Sequence, residues 1–209
     1  MIAILDYGSG NIRSAERAFA YAGHPVVVTA DPKKIALSDG LVIPGVGSFN
    51  GCMSGLLSVG GDDIIRHHLS RAKPLFGICV GMQILCETGE ETHSTAHSTL
   101  HSGRGLGLLP GHVAQLSHPR IPHMGWNTVS THPQSKLFLT VNPDERFYFV
   151  HSYAVKAIPG NSDVIATTVN YGETFIAAME RGLISATQFH PEKSGRAGLE
   201  LIQRWIKQL

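Results

Sequence analysis

Residues 75–86 read Leu-Phe-Gly-Ile-Cys-Val-Gly-Met-Gln-Ile-Leu-Cys, and a change of period inside this stretch decides the fold. Leu75 to Ile78 is a short continuous apolar run following Lys73-Pro74, the pattern of a strand buried on both faces. Beyond Cys79 the apolar positions Met82, Leu85 and Cys86 fall at helical spacing. A strand, a tight turn and a helix therefore meet at one thiol flanked by Gly77 and Gly81. A nucleophile at such an elbow needs small neighbours, because its backbone is crowded and a substrate carbonyl must approach closely. Cys79 would also stand at a helix N-terminus, where free N–H groups and the helix dipole favour a thiolate. The competing reading is a plain core cysteine, since free cysteine is among the most buried residue types.

Outward from the elbow the alternation repeats. Ile2 to Leu5, Val26 to Thr29 and Leu41 to Ile43 read as further strands. Ile12, Ala15, Phe19 and Ala22 mark a helix that stops at Gly23, and Ile64 to Leu69 lies in another that ends before Lys73-Pro74. Strands alternating with helices predict an α/β fold with a mostly parallel central sheet and flanking helices. Later β-rich runs, Phe147 to Val150, Val164 to Val169, Phe175 to Met179 and Ile184 to Phe189, predict antiparallel strands added to that sheet. Ala197 to Leu209 places Leu201, Ile202, Trp205, Ile206 and Leu209 on one face of a closing helix. At 209 residues a single domain over 1–209 is expected.

The bulk properties exclude several function classes. A net charge of +1, from 17 basic and 16 acidic residues, provides no basic field for a nucleic acid. No apolar run approaches the roughly 18 residues that cross a bilayer. The opening MIAILDYGSG reads as a short strand rather than a secretory leader, so a cytoplasmic protein is expected. Three cysteines, Cys52, Cys79 and Cys86, form no C-x-x-C pair and suit a reducing compartment. Between Thr88 and Gly111 lies a Ser/Thr/His/Gly-rich stretch that reads as an exposed loop. Its His93, His97 and His101 could meet a metal if helical, but the composition favours a solvated insertion, and no metal site is expected.

A thiol nucleophile needs a base, and the base needs a carboxylate to hold its tautomer. Gln188-Phe-His190-Pro-Glu192-Lys-Ser, after the apolar run Leu183 to Ala186, offers both. Any one of twelve histidines near a glutamate means little by itself. Here the proline between the two side chains prevents a helix and favours an extended backbone before it.

Together GICVGMQ and QFHPEKS resemble the class I glutamine amidotransferases, whose fold is flavodoxin-like and in which cysteine, histidine and glutamate occur in this chain order. The resemblance makes Cys79 the nucleophile, His190 the acid/base and Glu192 its orienting carboxylate. Pro44-Gly-Val-Gly-Ser-Phe49, the N-terminal IAILDYGSGN, HMGWN at 123–127 and FYFVHSY at 147–153 are similar to one branch, the glutaminase subunit of imidazole glycerol phosphate synthase. That branch implies hydrolysis of L-glutamine to glutamate and ammonia. The ammonia passes to a separate cyclase subunit of TIM-barrel fold, in a heterodimer that makes imidazole glycerol phosphate and AICAR phosphate in histidine biosynthesis. No cofactor is implied.

The resemblance also places the oxyanion hole at the N–H groups of Val80 and of the Gly45-Val46-Gly47 turn. An ordinary strand-to-loop turn would use the same residues. Gln83, Ser152 and Tyr153 match positions that hold the amino-acid end of glutamine, although a helix surface and a strand account for them as well. Asn11, Trp126, Tyr148 and Lys193 match positions facing the cyclase; core packing is the alternative for Trp126 and Tyr148. Val46 lies between two glycines, so a peptide flip there could switch an N–H into or out of the hole as the partner binds its substrate. Rival readings are another class I amidotransferase serving a different synthase, a hydrolase with a cysteine elbow, and a non-catalytic scaffold. The second is disfavoured because its acid usually precedes its histidine by a long interval.

Overall fold

A computed structural model describes residues 1–91, 103–160 and 162–209. In chain order the elements are β1 (Ile2–Leu5), α1 (Ile12–Tyr21), β2 (Val26–Thr29), α2 (Pro32–Ala36), β3 (Gly40–Gly45), α3 (Phe49–Ser58) and α4 (Gly61–Ser70). There follow β4 (Leu75–Cys79), α5 (Val80–Leu85), β5 (Thr88–Gly89), β6 (His112–Gln115), β7 (His123–Asn127), β8 (Phe147–His151) and β9 (Tyr153–Val155). The chain ends with β10 (Ile165–Asn170), β11 (Thr174–Arg181), β12 (Ile184–Thr187), a 3-10 turn at Pro191–Lys193 and α6 (Gly195–Ile206).

The main sheet has the order β10-β11-β12-β4-β3-β1-β2. The contacts from β2 to β12 are all parallel, while β11 and β10 are added antiparallel at one edge. The predicted α/β class, with its antiparallel additions, is what forms. Every residue of β1, β3 and β4 is buried, which is why these strands are apolar throughout rather than alternating. Trp205 of α6 packs edge-on against Phe19 of α1 at 5.7 Å and beside Phe76 of β4 at 5.4 Å, so the closing helix locks the sheet to its neighbour. The parallel strands run in the order 2-1-3-4 with β12 as the fifth. In such a sheet ligands bind beyond the carboxyl ends of the strands near the reversal of order. Gly45, Cys79 and the segment after Thr187 all lie at those ends.

Two expectations are corrected. Phe147 to Val150 does form a strand, but β8 pairs with β7 in a separate two-stranded ribbon rather than joining the main sheet. Its alternating burial, with Phe147, Phe149 and His151 inward, lets one face cover the core while the other faces outward. The stretch from Thr88 to Gly111 is not loop throughout. Thr88–Gly89 pairs with β6, and Leu106 and Leu109 are buried. His93, His97 and His101 lie outside the described residues. Among the described residues no helix is long and apolar enough to cross a membrane, and no group of three or more His, Cys, Asp or Glu side chains could hold a metal ion.

Candidate active site

Cys79 ends β4 and caps α5 with φ 55° and ψ −113°. A residue other than glycine in this region stores about 1–3 kcal/mol of backbone strain, which the surrounding packing must hold. The packing is tight enough to do so. A Cβ on Gly81 would stand 1.9 Å from the Ile43 carbonyl oxygen, and one on Gly45 would stand 2.4 Å from the Gly81 nitrogen. The turn after β3 and the start of α5 therefore touch backbone to backbone. Gly45 is also the register partner of Cys79.

His190 follows β12 and is fixed from three directions. Its N–H donates to the Tyr148 carbonyl at 2.9 Å, its carbonyl accepts from Ser194 Oγ at 2.6 Å, and Nδ1 lies 2.8 Å from Glu192 Oε1. Ser194 Oγ in turn accepts the Tyr148 N–H at 2.9 Å. The outward-facing ribbon is thus tied directly to the histidine. Both side chains of the His190–Glu192 pair are 2% exposed, so their attraction is little screened. Burial alone would pull His190 below the ordinary imidazole range. Interaction of the charged ring with the Cys79 sulfur on one side and Glu192 on the other overcomes this and holds it up at about 10. Nε2 has no hydrogen-bond partner among the described residues, and it is this nitrogen that is left for the thiol and for substrate.

Cys79, His190, Val46, Gly47, Val80, Gln83, Ser152 and Tyr153 all line one cavity of about 300 Å³, together with Glu91, Pro122, Val150, His151 and Lys193. Residues 147 positions apart in the chain at their extremes, from Val46 to Lys193, converge there. A thiol, an acid/base pair and a cavity of this size equip the site for acyl transfer from a small amide.

The matching family model, described as glutamine amidotransferase class-I, covers residues 3–209. The chain belongs to the class I glutamine amidotransferases. Among curated members of that family it is 49% identical over 208 residues to "Imidazole glycerol phosphate synthase subunit HisH" of Mycolicibacterium paratuberculosis, covering 100% of this chain and 98% of the relative. The protein of the same name from Nocardia farcinica is 50% identical over 213 residues, with the same coverage. Among solved structures, PurLQS of Thermotoga maritima has a TM-score of 0.72 at 19% identity, over 99% of this chain and 97% of that one. A structure described as glutamine amidotransferase gives 0.74 at 16%, over 99% and 97%. These two bear on the fold alone.

Other sequence-derived site residues are dispersed more widely. Gly45 lies behind the cavity wall, against α5. Val80 opens α5, so its N–H has no carbonyl one turn earlier to bond. Val46 offers no free N–H: it donates to Ser9 Oγ at 3.1 Å, and its carbonyl accepts from Ser9 Oγ at 2.9 Å and from Cys52 Sγ at 3.3 Å. An oxyanion role for this peptide requires it to turn. Trp126 is 51% exposed and meets Tyr148 edge-on at 5.8 Å, with Lys193 Nζ 6.0 Å from the Tyr148 ring. Asn11 is half-buried at the start of α1. Met124, 63% exposed, shares the outward ribbon face with Trp126. Ser9, Glu91 and the role of Gln188 went unread in the sequence. Gln188 Nε2 donates to Cys79 Sγ at 3.7 Å, and its place two residues before His190 was the only signal for it.

Proposed function

We propose that this chain hydrolyses L-glutamine to glutamate and ammonia through a thioester on Cys79. It then delivers the ammonia to a separate cyclase subunit of TIM-barrel fold, which forms imidazole glycerol phosphate and AICAR phosphate in the cytoplasm. The observation that carries the reading is the buried His190–Glu192 pair, 2.8 Å apart, beside a thiol held at positive φ in the same cavity. Full-length similarity to chains named as HisH subunits supports the assignment to histidine biosynthesis.

The chemistry follows from the positions. The Cys79 sulfur attacks the amide carbon of the glutamine side chain, the C–N bond breaks, and protonated His190 gives its proton to the departing nitrogen. Ammonia leaves and a glutamyl thioester remains. Water then attacks the thioester carbon, His190 takes the water proton, the C–S bond breaks, and glutamate departs. Glu192 keeps the imidazole oriented and stabilises its charged form. The Val80 N–H, and the Val46 N–H once turned, hold the tetrahedral oxyanion, each such donor contributing about 3 kcal/mol. Glu91 is the one carboxylate on the cavity wall among the described residues, which suits the α-ammonium of glutamine. Gln83, Ser152 and Tyr153 line the same cavity and are assigned to the amino-acid end of glutamine on the family resemblance.

The outward ribbon face, with Met124, Trp126 and Tyr148, and Lys193 beside the Tyr148 ring, is the docking surface for the cyclase, and Asn11 at the start of α1 is assigned to it on the family resemblance. The bond from the His190 N–H to the Tyr148 carbonyl, and the Ser194 hydroxyl that joins the same two residues, support coupling between this surface and the chemistry. Ammonia release from glutamine, measured with the cyclase and its nucleotide substrate, tests the proposal. A wild-type rate that disappears in Cys79→Ala supports it; no release from the wild-type complex overturns it.

A further inference from the structure

Two buried histidines have no part in the chemistry above. His123 and His151 are register partners across β7 and β8 and are 3% and 7% exposed. Their surroundings leave one arrangement of protons. Asn127 Oδ1 accepts the Thr128 N–H at 2.9 Å and its Nδ2 donates to the Asn170 carbonyl at 2.9 Å. The nitrogen side of that amide therefore faces His123 Nε2, at 3.5 Å. At the other end, His151 Nδ1 lies 2.9 Å from the Tyr153 carbonyl, which can only accept. So His151 carries its proton on Nδ1 and its Nε2 is an acceptor. The 3.2 Å contact between the rings is then His123 Nδ1–H donating to His151 Nε2. Burial keeps both rings neutral, pulling His123 down to about 4 and His151 to about 3.

The chain of bonds continues to the nucleophile. The Tyr153 carbonyl also accepts from Gln83 Nε2 at 2.8 Å, and the same amide nitrogen donates to Gln188 Oε1 at 2.9 Å. Gln188 Nε2 is thereby the end turned toward Cys79 Sγ. Gln83 and Gln188 are buried, so reversing the Gln83 amide would set its oxygen against two acceptors, and reversing the Gln188 amide would set two N–H donors against each other.

We propose that His123 and His151 are positioning residues for the glutaminase reaction. They fix the Tyr153 carbonyl, and through it the two glutamine amides, so that an N–H donor rather than a carbonyl oxygen faces the Cys79 sulfur. The proposal rests on the glutaminase reading for its kinetic consequence but not for its proton arrangement.

The test has two parts. Long-range 15N spectra of the imidazoles in the full chain at pH 7 are expected to find both rings neutral and protonated on Nδ1. An Nε2 proton on His151 would overturn the proposal without reference to activity. Turnover of glutamine is then compared in the cyclase complex. His123→Phe keeps a ring stacked between Tyr171 and Phe149, at 4.1 and 4.7 Å, but removes the donor. His123→Asn restores a donor near the position of Nδ1 and loses the ring. The expected result is a kcat lower by about tenfold in the Phe variant, with KM little changed, and recovery to within about threefold in the Asn variant. A packing role gives the opposite ranking, and that ranking, or wild-type kcat in both, overturns the proposal. If neither variant folds, the tautomers of the unaltered chain decide. Absence of ammonia from the unaltered complex would instead count against the glutaminase reading.

Discussion

Ser9→Ala is expected to raise the glutaminase activity of the isolated chain. Ser9 Oγ accepts the Val46 N–H and donates to the Val46 carbonyl, while Cys52 Sγ is a second donor to that carbonyl. Burial pushes the Cys52 thiol up, so it keeps its proton and its donor role. Without the hydroxyl the carbonyl retains the thiol, but the N–H loses its partner. One net hydrogen bond is worth about 1 kcal/mol, which shifts the balance toward the turned peptide by about fivefold. If the turned peptide is the minor form in the isolated chain, the basal rate rises by the same factor. The rate with cyclase and its nucleotide substrate, where the turned form already dominates, stays the same. The activation ratio therefore falls about fivefold. Steady-state glutamate release by the isolated chain and by the complex gives both numbers, with a thermal melt to verify folding. An unchanged basal rate, or an equal rise in both states, would refute the role of Ser9 as the group that holds Val46 back.

Three further outcomes follow from particular contacts. His68, His123 and His151 are buried, and burial lowers them to about 4, 4 and 3; the unfolded chain binds more protons below about pH 6.5, so stability should rise with pH between about pH 4 and 6. Denaturant melts at several pH values check this, and a flat profile would contradict it. Gly81→Ala should cost at least about 3 kcal/mol, since its Cβ would lie 1.9 Å from the Ile43 oxygen, and a melting temperature within a few degrees of wild type would contradict that. Trp126→Ala should weaken cyclase binding by about 2 kcal/mol, roughly thirtyfold, while leaving the basal rate of the isolated chain intact; titration calorimetry and the isolated-chain assay separate the two.

What could be read in the sequence follows from range. β1, β3 and β4 were legible because strands in the middle of a parallel sheet are uniformly apolar, and α1 and α6 because their apolar faces repeat at helical spacing. The elbow was legible because strand, thiol and helix are contiguous. Phe147 to Val150 betrayed itself as a strand, but its partner His123–Asn127 contains Gly125 and polar residues, and pairing is decided by packing rather than by local pattern. Leu106 and Leu109 were lost inside a stretch whose earlier half is polar. The Ser9–Val46 bonds join residues 37 positions apart, and the His123–His151 contact joins residues 28 apart. Nothing in the spacing of one among twelve histidines announces such a partner. The pairing of His190 with Glu192, two residues apart, was within reach for the same reason that those were not.

The covalent step can be observed directly. The complex is mixed with glutamine in the presence of the cyclase ligand, quenched in acid within one turnover, digested and weighed by mass spectrometry. The account predicts a glutamyl adduct on the peptide carrying Cys79, absent from Cys79→Ala and accumulating further in a His190→Asn variant acylated by a reactive glutamyl ester. An unmodified Cys79 peptide under conditions where ammonia is being released, or an adduct on Cys52 or Cys86 instead, would contradict it.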